Sequence, residues 1–279
     1  MKHIYRPLYN MFTAGENITS LNNKILEMKT KRLYPIVDYI KEFANSGEDV
    51  SNNIKEYKHL SMFADTEYIA LKPSSFMFQF IHIDNVVRDI VSNNKKVLID
   101  AEFCSNHYVI NGITNDLIKK YNRNEVFVYK TYQMYRRDSL ETLVHDFDKF
   151  ENLGVKLVRG AYWNADKYTG ELFNKKYDTD NAFRAALSLA LQSRSNGMLH
   201  SIICTHNSDD IAFMIENYKK NNNIIHASLY GFIPNDTSNI INCGIKTYKY
   251  LPYGPIEYAA PYLFRRVLEN PFILKYYFT

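Results

Sequence analysis

The chain has 279 residues, of which 46% are hydrophobic and 23% charged, the balance of a globular protein rather than a disordered or membrane-spanning one. Its 34 basic and 30 acidic side chains leave a net charge of +4, and the lysines are scattered among asparagines, which points away from a nucleic-acid partner. No run of about 18 apolar residues offers a membrane span.

The opening segment MKHIYRPLYN lacks the apolar stretch of a secretory signal, so an intracellular protein is expected. Residues 1–33 read as a helical prelude packed outside the main fold. From residue 34 onward, short β-branched runs alternate with longer stretches of helical spacing. The runs predicted as strands are 34–40, 68–72, 96–101, 126–132, 155–160, 201–205, 224–229 and 246–251. Between the fourth and fifth, DSLETLVHDFDKFENLG (138–154) is predicted as a helix closed by Gly154. TDNAFRAALSLALQSRS (179–195) is predicted as another, opened by a Thr/Asp cap. Eight strands with seven intervening segments and a final helix fit one closed parallel (β/α)8 barrel spanning 34–279, with an open doubly wound sheet as the alternative. Cys104, Cys204 and Cys243 are far apart and in no CxxC arrangement, so they read as spectator thiols with no disulfide or metal role.

Barrels of this kind place their chemistry where the strands end at their carboxyl side. The predicted strand ends here are polar: Asp38 to Glu42, Lys72, Asp100 with Glu102, Gln133, Arg159, Thr205-His206-Asn207 and Tyr250. Singly, each has an ordinary explanation as a cap, a solvated end or a hydrogen-bonded histidine. Jointly, they point to a site. Near the C-terminus, Pro255 and Pro261 suit the approach to a helix and its first turn. On that helix Arg265 and Arg266 stand four and three residues before Glu269, with Tyr262 a turn before Arg266. This is either a surface salt bridge or a fork of donors for a carboxylate or phosphate, braced by Glu269.

These residues resemble the FAD-dependent proline dehydrogenase family, in order, over residues 34–270. The most specific pieces are KLVRGAYW (156–163), THN (205–207) and YLPYGPIEYAAPYLFRRVLEN (250–270); DYIKE (38–42), LKPS (71–74), LIDAE (98–102) and YQMY (132–135) support them. The resemblance implies a distorted (β/α)8 barrel and a monofunctional enzyme that oxidises L-proline to 1-pyrroline-5-carboxylate. It implies FAD as hydride acceptor, a quinone as the next acceptor, and a cytoplasmic, membrane-peripheral or mitochondrial setting. By motif, Lys72, Arg265 and Arg266 are expected to bind the substrate carboxylate. Tyr250 and Tyr262 are expected on the proline ring, with Asp100 orienting the Tyr250 hydroxyl. Ala161 and Tyr162, expected as substrate contacts, follow the strand of Lys156 and Arg159, which with Ala161 are expected next to the flavin; three apart on a strand, the two basic residues face opposite ways, which leaves open which one reaches it. Gln133, Gly160, Trp163, Thr205, His206, Asn207, Leu229 and Glu269 are expected as flavin contacts or their supports.

Two Arg and a Lys against one carboxylate suggest surplus positive charge, which would favour the neutral amine. Lys72 and Asp100 are read as acting on the substrate rather than in folding. There is no G-x-G-x-x-G after a strand, so FAD rests on the resemblance alone. Strand seven also departs from the family pattern: Ile225 and Ala227 stand where Glu and Gln are usual, and Phe232 replaces Met. A barrel that keeps the pocket as a sensor, or an enzyme for hydroxyproline or another cyclic amine, stays open beside the main reading.

Overall fold

The computed structural model describes residues 2–192, 199–220, 223–232 and 236–269, without the side chains of residues 2–5, 266, 268 and 269. Two helices, α1 (Lys2–Phe12) and α2 (Ile18–Thr30), precede the first strand. The strands are β1 (Leu33–Tyr39), β2 (Tyr68–Leu71), β3 (Lys96–Ile99), β4 (Val128–Gln133), β5 (Leu153–Val158), β6 (Leu199–Cys204), β7 (Ile224–Leu229) and β8 (Thr247–Tyr253). They pair in sequence order, all parallel, and β8 returns to β1, which closes the expected barrel and excludes the open sheet. Between the strands run α3 (Gly47–Phe63), α4 (Phe80–Ser92), α5 (His107–Tyr121), α6 (Ser139–Lys149), the single turn α7 (Trp163–Asp166), α8 (Lys176–Gln192), α9 (Ser208–Asn217) and α10 (Thr237–Asn242). The described chain ends with α11 (Ala260–Glu269).

Strand residues alternate between two cores, as a period of two requires. Ile36, Tyr68, Ala70, Leu98, Tyr129, Ile202, Ala227 and Tyr248 fill the barrel interior. Their neighbours Val37, Ile69, Val97, Val128, Val155 and Ile203 face the helical layer. Polar residues on the outer face act as fasteners: Lys130 Nζ and the Tyr132 hydroxyl both donate to Asp146 Oδ2, at 2.6 and 2.8 Å, and hold α6 against β4.

Three local expectations change. Gly154 does not cap α6, which ends at Lys149; it lies inside β5, where a Cβ would stand 2.5 Å from the Val128 carbonyl oxygen, so close packing of β4 and β5 requires glycine. The helix expected from Thr179 starts earlier, at Lys176, and residues 193–195 of that expectation lie outside the described residues. The fifth strand ends at Val158, two residues sooner than predicted.

The last helix does not lie along the barrel wall. It packs on α1 and on the turn at Ile256–Tyr258, where Tyr262 and Leu263 join Tyr9, Phe12 and Ile40 in a small core of their own. The Tyr9 hydroxyl donates to the Gly254 carbonyl at 2.6 Å, and the Ala14 amide donates to the Pro252 carbonyl at 2.8 Å. The first helix thus seats the last helix over the carboxyl ends of the strands. Among the described residues no helix is long and apolar enough to cross a membrane.

Candidate active site

A cavity of about 300 Å³ opens at the carboxyl ends of the strands. Its floor follows from the alternation inside the barrel. Two residues beyond interior Ile36, Ala70, Leu98 and Tyr248 come Asp38, Lys72, Asp100 and Tyr250, so each apolar interior column ends in a polar side chain at the cavity. Gln133 and Lys156 complete the inward set from β4 and β5.

The charges are arranged in pairs. Lys72 Nζ donates to Asp38 Oδ1 in a very short contact and to the Tyr39 carbonyl at 3.2 Å. Burial pulls the Lys72 ammonium down, but Asp38, then Glu42 and Asp100, outweigh it and hold it above its ordinary value. Asp38 is 1% exposed, and burial raises its carboxyl to about 6 against the pull of Lys72. Lys156 Nζ donates to Asp100 Oδ1 at 2.6 Å and lies 4.8 Å from the centre of the Tyr250 ring. The Tyr250 hydroxyl donates to Asp100 Oδ2; burial and that carboxylate keep the phenol well above its ordinary value, hence protonated.

The mouth is crossed by a third pair. Arg265 on α11 donates to both carboxylate oxygens of Glu42, at 2.6 and 3.3 Å, with its guanidinium 5.4 Å from the centre of the Tyr162 ring. Glu42 thus takes the bracing place expected of Glu269 for Arg265, and the side chains of Arg266 and Glu269 lie outside the described residues. Glu102 holds this region from behind: its Oε1 accepts from the Ser74 hydroxyl at 2.8 Å and the Ser74 amide at 3.3 Å. Ser74 in turn accepts the amides of Phe43 and Ala44, next to Glu42. Burial raises Glu102 to about 7, the two Ser74 donors pulling the other way, and its Oε2 has no partner among the described residues.

The surplus of positive charge expected from sequence is therefore absent from the described side chains. Lys72, Lys156 and Arg265 each have their own carboxylate, because Asp38 and Glu42 belong to the site.

The wall beyond β5 carries the second basic residue. Lys156 is inside the strand and points inward, whereas Arg159 lies past the strand end, where the rule of opposite faces no longer applies; both line the cavity. Arg159 is pinned by Asp180 at 2.8 Å, the Thr205 hydroxyl at 3.1 Å and Asp210 at 2.6 Å. Gly160 follows with φ +131°, and a Cβ there would stand 2.5 Å from the Tyr135 ring. Ala161, Tyr162, His206, Leu229 and Tyr262 complete the expected residues at the cavity, and His206 Nε2 accepts from the Leu229 amide at 3.2 Å.

Three expected residues stand back from the lining. Trp163 opens α7 and is 40% exposed, Thr205 is buried beneath Arg159, and Asn207 caps α9 by accepting from the Asp210 amide. Asp38, Glu42 and Glu102 are the participants to which sequence assigned no role. The signal for Asp38 was present in its spacing of two from Ile36.

The sequence pattern described as proline dehydrogenase matches residues 21–275. The chain belongs to the proline dehydrogenase family. Mitochondrial proline dehydrogenase 1 of Caenorhabditis elegans is 27% identical over 211 residues, covering 68% of this chain and 34% of its own length. That of Dictyostelium discoideum is 30% identical over 212 residues, 68% of this chain and 37% of its own. A hydroxyproline dehydrogenase of Xenopus laevis is 27% identical over 234 residues, 73% of this chain and 50% of its own. The chain thus spans about a third of the length of the C. elegans relative. The crystal structure of proline utilization A from Bdellovibrio bacteriovorus inactivated by N-propargylglycine superposes with a TM-score of 0.83 at 18% identity, over 95% of this chain and 33% of that one. At that identity the likeness is one of fold alone.

Proposed function

We propose that this chain is an FAD-dependent dehydrogenase that oxidises L-proline to 1-pyrroline-5-carboxylate, the first step of proline breakdown. The observation that carries the reading is the ring of paired charges, Lys72/Asp38, Lys156/Asp100 and Arg265/Glu42, around a cavity floored by Tyr250 in a chain of the proline dehydrogenase family.

The flavin fits the far wall. Gln133 is buried and lines the cavity, where its carboxamide suits a polar ring edge. Gly160 and Ala161 leave backbone with little side chain beside it. Gln133, Lys156, Arg159, Gly160, Ala161, His206 and Leu229 would hold the cofactor, with Trp163, Thr205, Asn207 and Glu269 as supports. When bound, the flavin supplies the acceptor for a hydride.

The chain's own residues have three tasks. The first is to orient the substrate. A lysine has three donors and an arginine five; Asp38 and the Tyr39 carbonyl take two from Lys72, and Glu42 takes two from Arg265. The remaining N–H groups, with Arg266, are the donors for the proline carboxylate. Fixing a small ring by its carboxylate lowers the barrier through orientation rather than through a strong acid. The second task is to hold the ring. Tyr250, fastened by Asp100, and Tyr262 on α11 supply the faces against which it packs. The third is to admit the amine in its neutral form, since hydride leaves the carbon beside nitrogen only when nitrogen can donate its electron pair. The cations favour that form, and their carboxylate partners limit how strongly.

In the same reading residues 1–33 are the lead-in that seats α11, and 34–279 the catalytic barrel. A quinone, reached by peripheral contact with its membrane, would reoxidise the flavin. The test is the absorbance spectrum of the flavin-loaded protein under anaerobic conditions. L-Proline should bleach the flavin bands; a spectrum that keeps them would leave a barrel that binds without catalysing.

A further inference from the structure

Glu42 lies just past the end of β1, and its neighbours on both sides are tied to the turn Pro73–Phe76 that follows β2. The Ser75 hydroxyl donates to the Lys41 carbonyl at 2.8 Å, the Phe43 amide donates to the Ser74 hydroxyl at 3.2 Å, and the Ala44 amide donates to the Ser74 carbonyl at 3.0 Å. Within this stretch Phe43 has φ +52°, a left-handed backbone that a residue with a large side chain adopts rarely and keeps only when its surroundings hold it there. Both ties beyond Glu42 run through Ser74, so the place of the Glu42 carboxylate depends on that serine.

Glu102 fixes the serine in turn. Its Oε1 takes the Ser74 hydroxyl proton as well as the Ser74 amide, which leaves the hydroxyl oxygen to meet the Phe43 amide with a lone pair. Glu102 is 3% exposed and, unlike Asp38, Glu42 and Asp100, forms no ion pair among the described residues. Its place in the site is therefore not one of charge balance. Burial raises its carboxyl to about 7, which limits the negative charge it sets near Glu42. The next residue makes a second link: the Phe103 ring stacks on Phe43 at 5.8 Å and meets the Tyr162 ring at 4.4 Å, the ring beside the Arg265 guanidinium. The end of β3 thus reaches both members of the Arg265/Glu42 pair.

We infer that Glu102 is a positioning residue for the carboxylate donors: acting through Ser74, it fixes the turn at Phe43 and so aims Glu42 at Arg265. This inference rests on the functional reading above, in which Arg265 binds the proline carboxylate.

The test adds to proline kinetics a probe that reports the donors without turnover. Cyclopentanecarboxylate has the ring size and carboxylate of proline and no nitrogen, so it binds without giving up a hydride. Its Kd is measured by calorimetry on flavin-loaded wild type, Glu102→Leu, Glu102→Gln and Ser74→Ala, with melting curves and flavin content to confirm folding. Glu102→Leu removes the acceptor at similar size; it should raise the Kd of the probe about tenfold and lower kcat/KM for proline by a similar factor, chiefly through KM. Glu102→Gln keeps an acceptor oxygen and should recover most of the loss. In an Arg265→Met background Glu102→Leu should change kcat/KM less than twofold, because the pair it serves is already gone. A Kd within twofold of wild type in folded Glu102→Leu, or an equal loss with and without Arg265, would overturn the assignment. If Glu102→Leu does not fold, Ser74→Ala breaks the same tie and decides by the same thresholds. Wild type that neither oxidises proline nor binds the probe would sink the dehydrogenase reading and this inference with it, whereas wild type that does both while remaining indifferent to Glu102 and Ser74 sinks only the positioning role.

Discussion

At the scale of single residues, pairing governs what a substitution does. Asp38 and Lys72 are both nearly inaccessible, so Lys72→Ala removes a proposed substrate donor and also strands a buried carboxylate. The expectation that Lys72 could be removed without cost to folding is therefore revised. We expect Lys72→Ala to lose stability of order 2–4 kcal/mol together with activity. Asp38→Asn in the same chain should restore much of the melting temperature and none of the turnover. Thermal melts alongside steady-state kinetics check this, and normal proline kinetics in Lys72→Ala would remove Lys72 from the site.

Arg265 is the less buried partner of its pair. Arg265→Met should lower kcat/KM for proline by about 2–3 kcal/mol, the value of a charge-assisted contact, with flavin content retained. Unchanged kinetics would return Arg265 to the role of a brace for Glu42. For Tyr250, the bond to Asp100 prevents the ring from swinging aside. An added 4-hydroxyl on the substrate would meet a fixed phenol, and rejection of about 1–3 kcal/mol follows. Tyr250→Ser should lower activity on proline and narrow the ratio between proline and 4-hydroxyproline. A ratio that does not move would place Tyr250 away from the distal edge of the ring.

At the scale of elements, the strand seven prediction matched β7 at both ends, and the other strands were found within a few residues. Apolar alternation and β-branched runs are local, so sequence exposes them. Partners are not local. Glu42 is 223 residues from Arg265, and Lys156 is 56 from Asp100, so the carboxylates that balance the cations could not be read from spacing along the chain. Gly154 shows the same limit: its place after a helical run suggested a cap, but contact with β4 makes glycine necessary there. Gly160 carries a testable version of this lesson. Its φ of +131° and the Tyr135 ring both exclude a side chain, so Gly160→Ala should destabilise by order 1–3 kcal/mol and displace the wall that includes Arg159 and Ala161. Differential scanning calorimetry with flavin titration checks both effects; an unaltered melting temperature would show that the segment after β5 can relax around the new methyl group.

At the scale of the whole molecule, two buried groups set opposite pH dependences. Glu102 has its folded value raised from 4.5 to about 7 by burial. Between those values the folded chain keeps a proton that the unfolded chain has lost, so stability falls as pH rises through the window. His226 is lowered from 6.5 to about 4, again by burial, so its contribution is present above 6.5 and is lost as pH falls toward 4. Glu102→Gln removes only the first slope. The variant should match wild type near pH 4.5 and exceed it by order 1–3 kcal/mol above pH 7. Urea unfolding at several pH values measures the difference, and a constant gap across the range would mean that Glu102 is ionised in the folded protein throughout.

The seam between β1 and β8 is held by seven residue pairs, from Leu33 with Thr247 to Tyr39 with Tyr253. During synthesis on the ribosome, β1 emerges more than two hundred residues before its partner. Until β8 arrives, the nascent chain exposes two open sheet edges, the feature most prone to pairing with another chain. α11, with its cavity-lining Tyr262 and Arg265, follows later still. A stalled or truncated chain therefore has neither a closed sheet nor a complete cavity, and would be removed by chaperones and proteases before it could bind substrate.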